Sequence, residues 1–289
     1  MSGMRYQAPG SVDEAVALLA DANGAARVLA GGTDLLVQLR LGMISPDVVV
    51  DIKKIAETQG IPADGGGFCI GASVSGAELG ENAELKAAYP GVVEGAELIG
   101  STQVQGRATM AGNLCNASPA ADSVPALIAA GATCTVAGPN GQREVAVGDI
   151  PTGPGQTSLA NGEFIVNIKL PARPANSGDA YLRMIPRTEM DIAIVGAGVN
   201  LVLDDSGTCT AATVVLGAVG PKTITVADAG AALVGSKVDD AALAAVAAAA
   251  SAAATPISDK RGTVEYRTKV AGVMASRAAA IAAERAQKA

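Results

Sequence analysis

The stretch of sequence that most constrains the fold is Arg107-Ala108-Thr109-Met110-Ala111-Gly112-Asn113-Leu114-Cys115-Asn116-Ala117-Ser118-Pro119-Ala120-Ala121-Asp122. Because buried polar groups need hydrogen-bond partners, Asn113, Asn116 and Asp122 are atypical of a plain hydrophobic core. Gly112 has no side chain, so a ligand can approach the main chain, whose N–H groups can bind phosphate oxygens. The stretch therefore predicts a cradle for a pyrophosphate. An alternative interpretation is a polar loop that caps the helix beginning near Asp122.

A second glycine-containing turn lies earlier in the chain, within Val28-Leu29-Ala30-Gly31-Gly32-Thr33-Asp34-Leu35-Leu36. This segment has the pattern of a short buried strand, a turn and the start of a helix. A strand that leads into a glycine turn and then a helix presents free main-chain N–H groups to an anion. Two such turns in one chain favour a ligand that carries two phosphates.

Three motifs together resemble those of a known family, the FAD-binding medium subunits of the molybdenum hydroxylases. The family includes the flavoprotein subunits of bacterial xanthine dehydrogenases and carbon monoxide dehydrogenases. The motifs are Ala30-Gly31-Gly32-Thr33-Asp34, Arg107-Ala108-Thr109-Met110-Ala111-Gly112-Asn113 and Asn116-Ala117-Ser118-Pro119-Ala120-Ala121-Asp122. The resemblance runs from Tyr6 to the terminal helix around Arg267. Because Thr33-Asp34 stands where carbon monoxide dehydrogenases commonly have His-Ser, it favours a hydroxylase of N-heterocycles, aldehydes or thioesters.

The resemblance implies which residues contact the cofactor. In the family, the two glycine-rich segments hold the FAD pyrophosphate, and the matching residues here are Ala30, Gly31, Gly32, Thr33, Asp34, Thr109, Gly112 and Asn113. Asn116 and Asp122 match contacts to the ribityl-pyrophosphate part of FAD. Ile165 matches an apolar residue near the flavin ring, and Arg183 matches a basic residue that approaches the isoalloxazine.

Arg183 begins a charged segment that has two interpretations. Two arginines and an acid before a buried strand usually form a solvated rim. In the functional interpretation, which follows from the resemblance, the cation lies near N1 and the C2 carbonyl and stabilises the anionic reduced flavin. Asp191 is expected either to pair with Arg187 or to lie near the docking site of an external electron acceptor.

The resemblance also implies an electron-transfer subunit of an oxidoreductase complex. A small subunit would carry [2Fe–2S] clusters and deliver electrons to FAD on this chain, which would pass them to NAD or another acceptor. A large subunit would hold the molybdopterin cofactor and oxidise the substrate, and the assembly would be a heterotrimer or its dimer. The chain has no histidine, so a histidyl-linked flavin is excluded and FAD is expected to bind non-covalently.

Composition excludes several other functions. Without histidine there is no His general base and no Ser-His-Asp triad. The four cysteines form no CxxC pair, which argues against a zinc or iron–sulfur site on this chain. A formal net charge of −7 makes nucleic acid an unexpected partner. An apolar leader and an apolar run long enough to span a membrane are both missing from the sequence, which favours a cytoplasmic location.

Two other function classes remain open at this point. A stand-alone nicotinamide dehydrogenase would need a G-x-G-x-x-G fingerprint after its first strand, and Gly31-Gly32 lacks the third glycine. A non-catalytic binding module for another phosphorylated ligand would bind no flavin. The visible absorbance of the purified chain distinguishes both from an FAD protein.

The predicted fold class is α+β, with a two-lobed FAD-binding domain over residues 1–174. A capping box at Ser11 and Glu14, the first glycine turn and an apolar run over residues 48–52 predict a small β-α-β lobe of about residues 1–60. Strand-like runs on both sides of a turn at residues 138–141 predict a larger mixed lobe over residues 61–174. The Pro-rich segment 171–178 predicts the domain boundary.

The predicted C-terminal domain, residues 175–289, is an antiparallel sheet with packed helices. Two apolar runs joined by a turn at residues 204–207 predict a hairpin, and the alanine-rich run 239–254 predicts a helix packed closely on the sheet. A terminal helix is expected to face the core with Val270, Val273, Met274 and Ile281, because these residues recur at helical spacing.

Overall fold

A three-stranded parallel sheet forms the N-terminal lobe. In the computed structural model, which describes residues 3–289, the elements of this lobe are β1 (Arg5–Gln7), α1 (Val12–Asp21), β2 (Ala26–Leu29), α2 (Leu35–Arg40) and β3 (Val48–Asp51). β3 lies between β1 and β2 and pairs with both in parallel. The predicted β-α-β organisation is confirmed, although residues 1 and 2 of the predicted range lie outside the described residues.

The predicted capping box shapes the start of α1. The Ser11 hydroxyl accepts from the Glu14 N–H at 3.2 Å, and the Glu14 carboxylate accepts in return from the Gly10 N–H at 2.9 Å. The first bond satisfies a main-chain donor that the helix N-terminus leaves without an intrahelical partner, and the second holds the residue that precedes the N-cap.

The second lobe combines an antiparallel sheet with six helices. Its elements in chain order are β4 (Ala63–Asp64), β5 (Gly67–Gly71), α3 (Gly76–Glu81), α4 (Ala83–Ala88), α5 (Pro90–Glu97), α6 (Thr102–Gln105), α7 (Met110–Cys115), α8 (Ser123–Ala129), β6 (Thr133–Gly138), β7 (Gly141–Ala146), β8 (Pro151–Gly153), β9 (Gln156–Thr157) and β10 (Phe164–Leu170). The five-stranded sheet has the order β4-β5-β10-β6-β7, and β8 pairs with β9 alone. Short 3-10 turns at Ile52–Lys54, Ala56–Thr58 and Val147–Asp149 join these elements.

β10 contains an irregularity in its pairing with β6. Its register with β6 shifts between Ile165 and Asn167, and the Val166 carbonyl accepts instead from the Ala72 N–H at 2.9 Å. A bulge of this kind lets neighbouring side chains on one strand face the same side. Phe164 and Ile165, which are adjacent, both line the cleft described below.

The C-terminal part is a four-stranded antiparallel sheet covered by helices. Its elements are β11 (Ser177–Met184), β12 (Val195–Leu203), β13 (Cys209–Gly217), β14 (Ile224–Thr225), α9 (Ala227–Leu233), α10 (Asp240–Ala253) and α11 (Val264–Ala286). The predicted hairpin joins β12 to β13, where Asp204 Oδ1 accepts from the N–H groups of Ser206 and Thr208. The predicted alanine-rich helix is α10, and Asp239 caps it.

Two details of the C-terminal domain differ from prediction. Arg183, expected in a segment ahead of the sheet, lies within β11, an edge strand. In α11, Met274 is buried and Val270 and Ile281 pack against the core as predicted, but Val273 is 37% exposed, and the buried face consists mainly of Ala271, Ala275, Ala278 and Ala282. Alanine lets the helix backbone approach the sheet closely, and a Cβ added at Gly178 of β11 would lie 1.9 Å from the Ala282 carbonyl oxygen.

Throughout residues 3–289, no helix combines the length and apolar character needed to cross a bilayer.

The opposite face of the C-terminal sheet packs on α5 and α8 of the second lobe. Glycines on β12 and β13 make this approach close. A Cβ at Gly198 would lie 2.6 Å from the Pro125 carbonyl oxygen, and one at Gly217 would lie 2.9 Å from the Pro125 ring. This close contact, the seam between the second lobe and the C-terminal sheet, holds α8 and the end of the stretch 107–122 against the sheet.

Candidate cofactor-binding site

A cleft of about 250 Å³ lies where the N-terminal lobe meets the second lobe. Both predicted glycine segments line it, and the predicted residues that it brings together are Ala30, Gly31, Gly32, Thr33, Asp34, Thr109, Gly112, Asn113, Asn116 and Ile165. The cleft lining includes neither Asp122 nor Arg183. The two turns that the sequence assigned to one ligand therefore belong to one cavity.

The two glycine segments touch through their main chains. A Cβ added at Gly31 would lie 1.9 Å from the Arg107 carbonyl oxygen and 3.2 Å from Ala108 Cα. Gly32 has φ of +81°, a left-handed conformation that residues with a side chain rarely adopt. Position 31 therefore requires glycine for the contact between the segments, and position 32 requires it for the turn itself.

In the second segment, Thr109 caps α7, and its Oγ1 accepts from the Gly112 N–H at 2.9 Å. That N–H is therefore occupied, and Gly112 contributes space to the cleft. Asn113 Oδ1 accepts from the Ser123 hydroxyl at 2.8 Å. Because the amide oxygen is used within the protein, the Asn113 amino group remains as a neutral donor for a ligand.

The first segment is held from behind by a charged pair. Lys53 Nζ donates to the Ala30 carbonyl at 3.0 Å and pairs with Asp51 at 2.7 Å. Asp34, at the start of α2, makes no side-chain cap bond. Desolvation by the surrounding protein raises the pKa of Asp34 above its ordinary value.

Several cleft residues were not predicted from the sequence. They are Arg27, Val28, Leu35, Gln38, Ile52, Ala72, Ile99, Ala108, Ala111, Cys115, Leu159, Glu163 and Phe164. Gln38 follows Asp34 by one helical turn, a spacing that could have suggested it. Leu159 and Ile99 come from loops without any such pattern. Cys115 is exposed at the cleft, although nearby protein desolvates its thiol and raises its pKa to about 12.

Asp122 and Arg183 pair with each other beside the cleft. Asp122 Oδ2 accepts from Arg183 Nη1 at 2.8 Å, and Asp122 Oδ1 accepts from the Tyr181 hydroxyl at 2.8 Å. Burial raises the pKa of Asp122, and the positive charge of Arg183 opposes that shift. Their contacts to FAD remain predictions.

The charged segment that begins at Arg183 also contains the pair expected at Asp191. Asp191 binds Arg187 at 3.1 Å and Arg261 at 3.0 Å. Hydrogen bonds, first from Arg261, lower the pKa of Asp191 to about 2. These bonds join the loop after β11 to the segment that precedes α11.

Two family models match this chain. The FAD binding domain in molybdopterin dehydrogenase matches residues 2–173, and the CO dehydrogenase flavoprotein C-terminal domain matches residues 180–282. Among curated proteins, the carbon monoxide dehydrogenase medium chain of Afipia carboxidovorans is 35% identical over 98% of this chain and 97% of its own length. The alpha subunit of the 6-hydroxypseudooxynicotine dehydrogenase complex of Paenarthrobacter nicotinovorans is 30% identical over 98% of this chain and 95% of its own length.

Solved structures agree in fold. CO dehydrogenase from Oligotropha carboxidovorans, in a reconstituted form, superimposes with a TM-score of 0.93 at 34% identity, covering 98% of each chain. Quinoline 2-oxidoreductase from Pseudomonas putida 86 superimposes with a TM-score of 0.89 at 30% identity, again covering 98% of each chain. The likeness in fold thus extends over both lobes and the C-terminal sheet. This chain belongs to the family of FAD-binding medium subunits of the molybdenum hydroxylases.

Proposed function

We propose that this chain binds FAD non-covalently in the cleft and carries electrons from an iron–sulfur subunit to NAD or another acceptor. The observation that carries the proposal is the main-chain contact between the two glycine segments, Gly31 against Arg107, in one cleft. A single diphosphate can reach both segments only if they are neighbours, and this contact makes them neighbours.

The donors of the cleft fit a pyrophosphate. Thr33, Asn113 and Asn116 supply neutral hydroxyl and amide groups, and the paired glycines leave main chain accessible at the turn. The remaining members of the proposed contact set are Ala30, Gly31, Gly32, Asp34, Thr109 and Gly112. Ile165 and Ile99 supply apolar wall for an aromatic ring system. When bound, FAD supplies the ability to accept electrons singly and release them as a pair.

The domain boundary is proposed at residues 174 and 175. The first unit would then contain both lobes and the cleft, and the second would contain the sheet of β11 to β14 with its helices. The ranges of the two family models, 2–173 and 180–282, support this division.

The proposed partners are a small subunit with [2Fe–2S] clusters and a large subunit with the molybdopterin cofactor, in a heterotrimer or its dimer. Support comes from the names of relatives, which are a medium chain and a complex subunit. Substrate oxidation would take place on the large subunit. The Thr33-Asp34 motif still favours a hydroxylase of N-heterocycles, aldehydes or thioesters, and a panel of such substrates on the complex would test it.

The decisive experiment is to purify the chain, measure its visible absorbance and titrate FAD into the flavin-free form. We expect a yellow protein that binds one FAD per chain and releases it on denaturation. Chemically reduced holoprotein is then mixed with NAD without oxygen, and recovery of the oxidised-flavin spectrum identifies NAD as an acceptor. A folded chain that rejects FAD would refute the proposal, and failure of NAD alone would restrict the acceptor to another class.

A further inference from the structure

A chain of charged and polar side chains supports the first glycine segment. Lys53 lies in the 3-10 turn that follows β3, and its Nζ donates to the Ala30 carbonyl at 3.0 Å. The same Nζ is 2.7 Å from Asp51 Oδ1, which also accepts from the Lys53 main-chain N–H at 3.0 Å. Asp51 is only 6% exposed, and its Oδ2 accepts from the Tyr6 hydroxyl at 2.6 Å. A buried carboxylate therefore holds the ammonium group of Lys53 against the Ala30 carbonyl.

The Ala30 carbonyl belongs to the same peptide group as the Gly31 N–H. This peptide is trans and planar, so its carbonyl and its N–H point in opposite directions. Because the carbonyl is directed at Lys53, the N–H is directed away from Lys53. Within residues 3–289, the main-chain N–H groups of Gly31, Gly32 and Thr33 have no acceptor. Since these three residues line the cleft, three consecutive main-chain donors are available to a ligand there.

The cleft offers little positive charge from its own side chains. Of the described residues that line it, Arg27 alone is basic, whereas Asp34 and Glu163 are acidic. Main-chain N–H groups therefore supply much of the attraction for a phosphate. Hydrogen bonds that share a peptide group polarise one another, so an ammonium group bound to the Ala30 carbonyl makes the Gly31 N–H a stronger donor.

We propose that Lys53 is a positioning residue for the diphosphate. It holds the Ala30–Gly31 peptide in the orientation that presents the Gly31 N–H to the ligand, and it strengthens that donor. Asp51 and Tyr6 keep Lys53 in place. This inference rests on the proposed FAD site, and it adds a residue outside both glycine segments to the cofactor-binding machinery.

The first test compares two neighbouring lysines by FAD titration into the flavin-free full chain. Lys53→Met should weaken FAD binding about tenfold, because the Ala30 carbonyl loses a hydrogen bond from a charged donor. Lys54→Met is the matched control, since it removes the same charge from the next residue, which is exposed. The control should change FAD affinity by less than about twofold. If a thermal unfolding curve shows that Lys53→Met does not fold, Lys53→Gln replaces it and also removes the ammonium group.

The second test identifies the part of the ligand on which Lys53 acts. ADP carries the same diphosphate as FAD but has no flavin. Lys53→Met should therefore weaken ADP binding by the same factor as FAD binding. A loss that appears with FAD and not with ADP would place the action of Lys53 at the flavin and refute the proposal.

The third test separates positioning from a general loosening of the cleft. Amide NMR of the chain saturated with ADP reports the shift that the ligand induces at each main-chain N–H. We expect the shift at Gly31 to be smaller in Lys53→Met than in wild type, whereas the shift at Asn113, in the second glycine segment, should be unchanged. Equal reductions in both segments would indicate loosening, and an unchanged Gly31 shift would show that Lys53 does not act through this peptide. Either result refutes the proposal.

These outcomes are distinct from those that test FAD binding itself. A wild-type chain that rejects FAD refutes the proposed function, and if that chain still binds ADP, the role of Lys53 is tested on ADP alone. The role of Lys53 is refuted when wild type binds FAD and Lys53→Met binds it equally tightly. It is also refuted when Lys54→Met weakens FAD binding as much as Lys53→Met, since the effect would then come from charge in general.

Discussion

Replacing Gly31 by alanine should separate the two glycine segments. The new Cβ would lie 1.9 Å from the Arg107 carbonyl oxygen, and real Cβ contacts are essentially never below 3.0 Å. The segments must therefore move apart by more than 1 Å, and both partners are main chain, which cannot rotate away. Such overpacking costs about 1–3 kcal/mol of folding stability. A diphosphate that bridges the segments would lose about two charge-assisted hydrogen bonds, so we expect about a hundredfold weaker FAD binding.

The assay for Gly31→Ala is FAD titration into flavin-free protein, with a thermal unfolding curve measured on the same sample. Gly10→Ala is the control, because a Cβ there would meet only the Glu14 carboxylate, at 4.0 Å, and Gly10 is exposed. The control should bind FAD as wild type does. If Gly31→Ala folds and binds FAD with wild-type affinity, the two segments do not hold one ligand between them and the reasoning fails.

Three further predictions concern two substitutions and the ionisation of one carboxyl group. Gly178→Ala should push α11 away from β11 and lower the free energy of unfolding by about 2 kcal/mol, measured by denaturant titration, because the new Cβ would lie 1.9 Å from the Ala282 carbonyl oxygen. Ala218→Gly should raise the free energy of unfolding by about 0.5 kcal/mol in the same assay, since Ala218 has φ of +63° and glycine removes that strain. The pKa of Asp191 is lowered to about 2, so its ion pairs should be complete above about pH 4, the ordinary value for Asp, and should be lost as the pH falls towards 2. A carboxyl titration followed by NMR measures this directly, and an Asp191 midpoint near the ordinary value would contradict the pairing.

Local patterns predicted the parts of the fold that depend on neighbouring residues. The capping box at Ser11, the hairpin around Asp204 and the helix capped by Asp239 each rest on bonds between residues at most four positions apart. Such bonds are written into short stretches of sequence, so single-sequence reasoning can find them. The common cleft of the two glycine turns was also predicted, because two phosphate-binding turns in one chain favour one ligand that carries two phosphates.

What sequence reasoning missed depends on contacts between distant residues. Asp122 and Arg183 are 61 positions apart, and no local pattern indicates that they pair. The role of Gly31 in letting main chains touch is equally hidden, since a glycine required by a ligand and one required by a neighbouring carbonyl look the same in sequence. The alanine face of α11 was missed because larger apolar residues such as Val273 dominate a search by hydrophobicity, whereas close packing selects the small ones.

Hydrogen exchange of the full chain, measured with and without FAD, tests most directly whether two turns hold one cofactor. The account predicts slower amide exchange in both segments, residues 30–34 and 109–116, with the same dependence on FAD concentration. Protection in only one of the two segments, or in neither while FAD is bound, would contradict it.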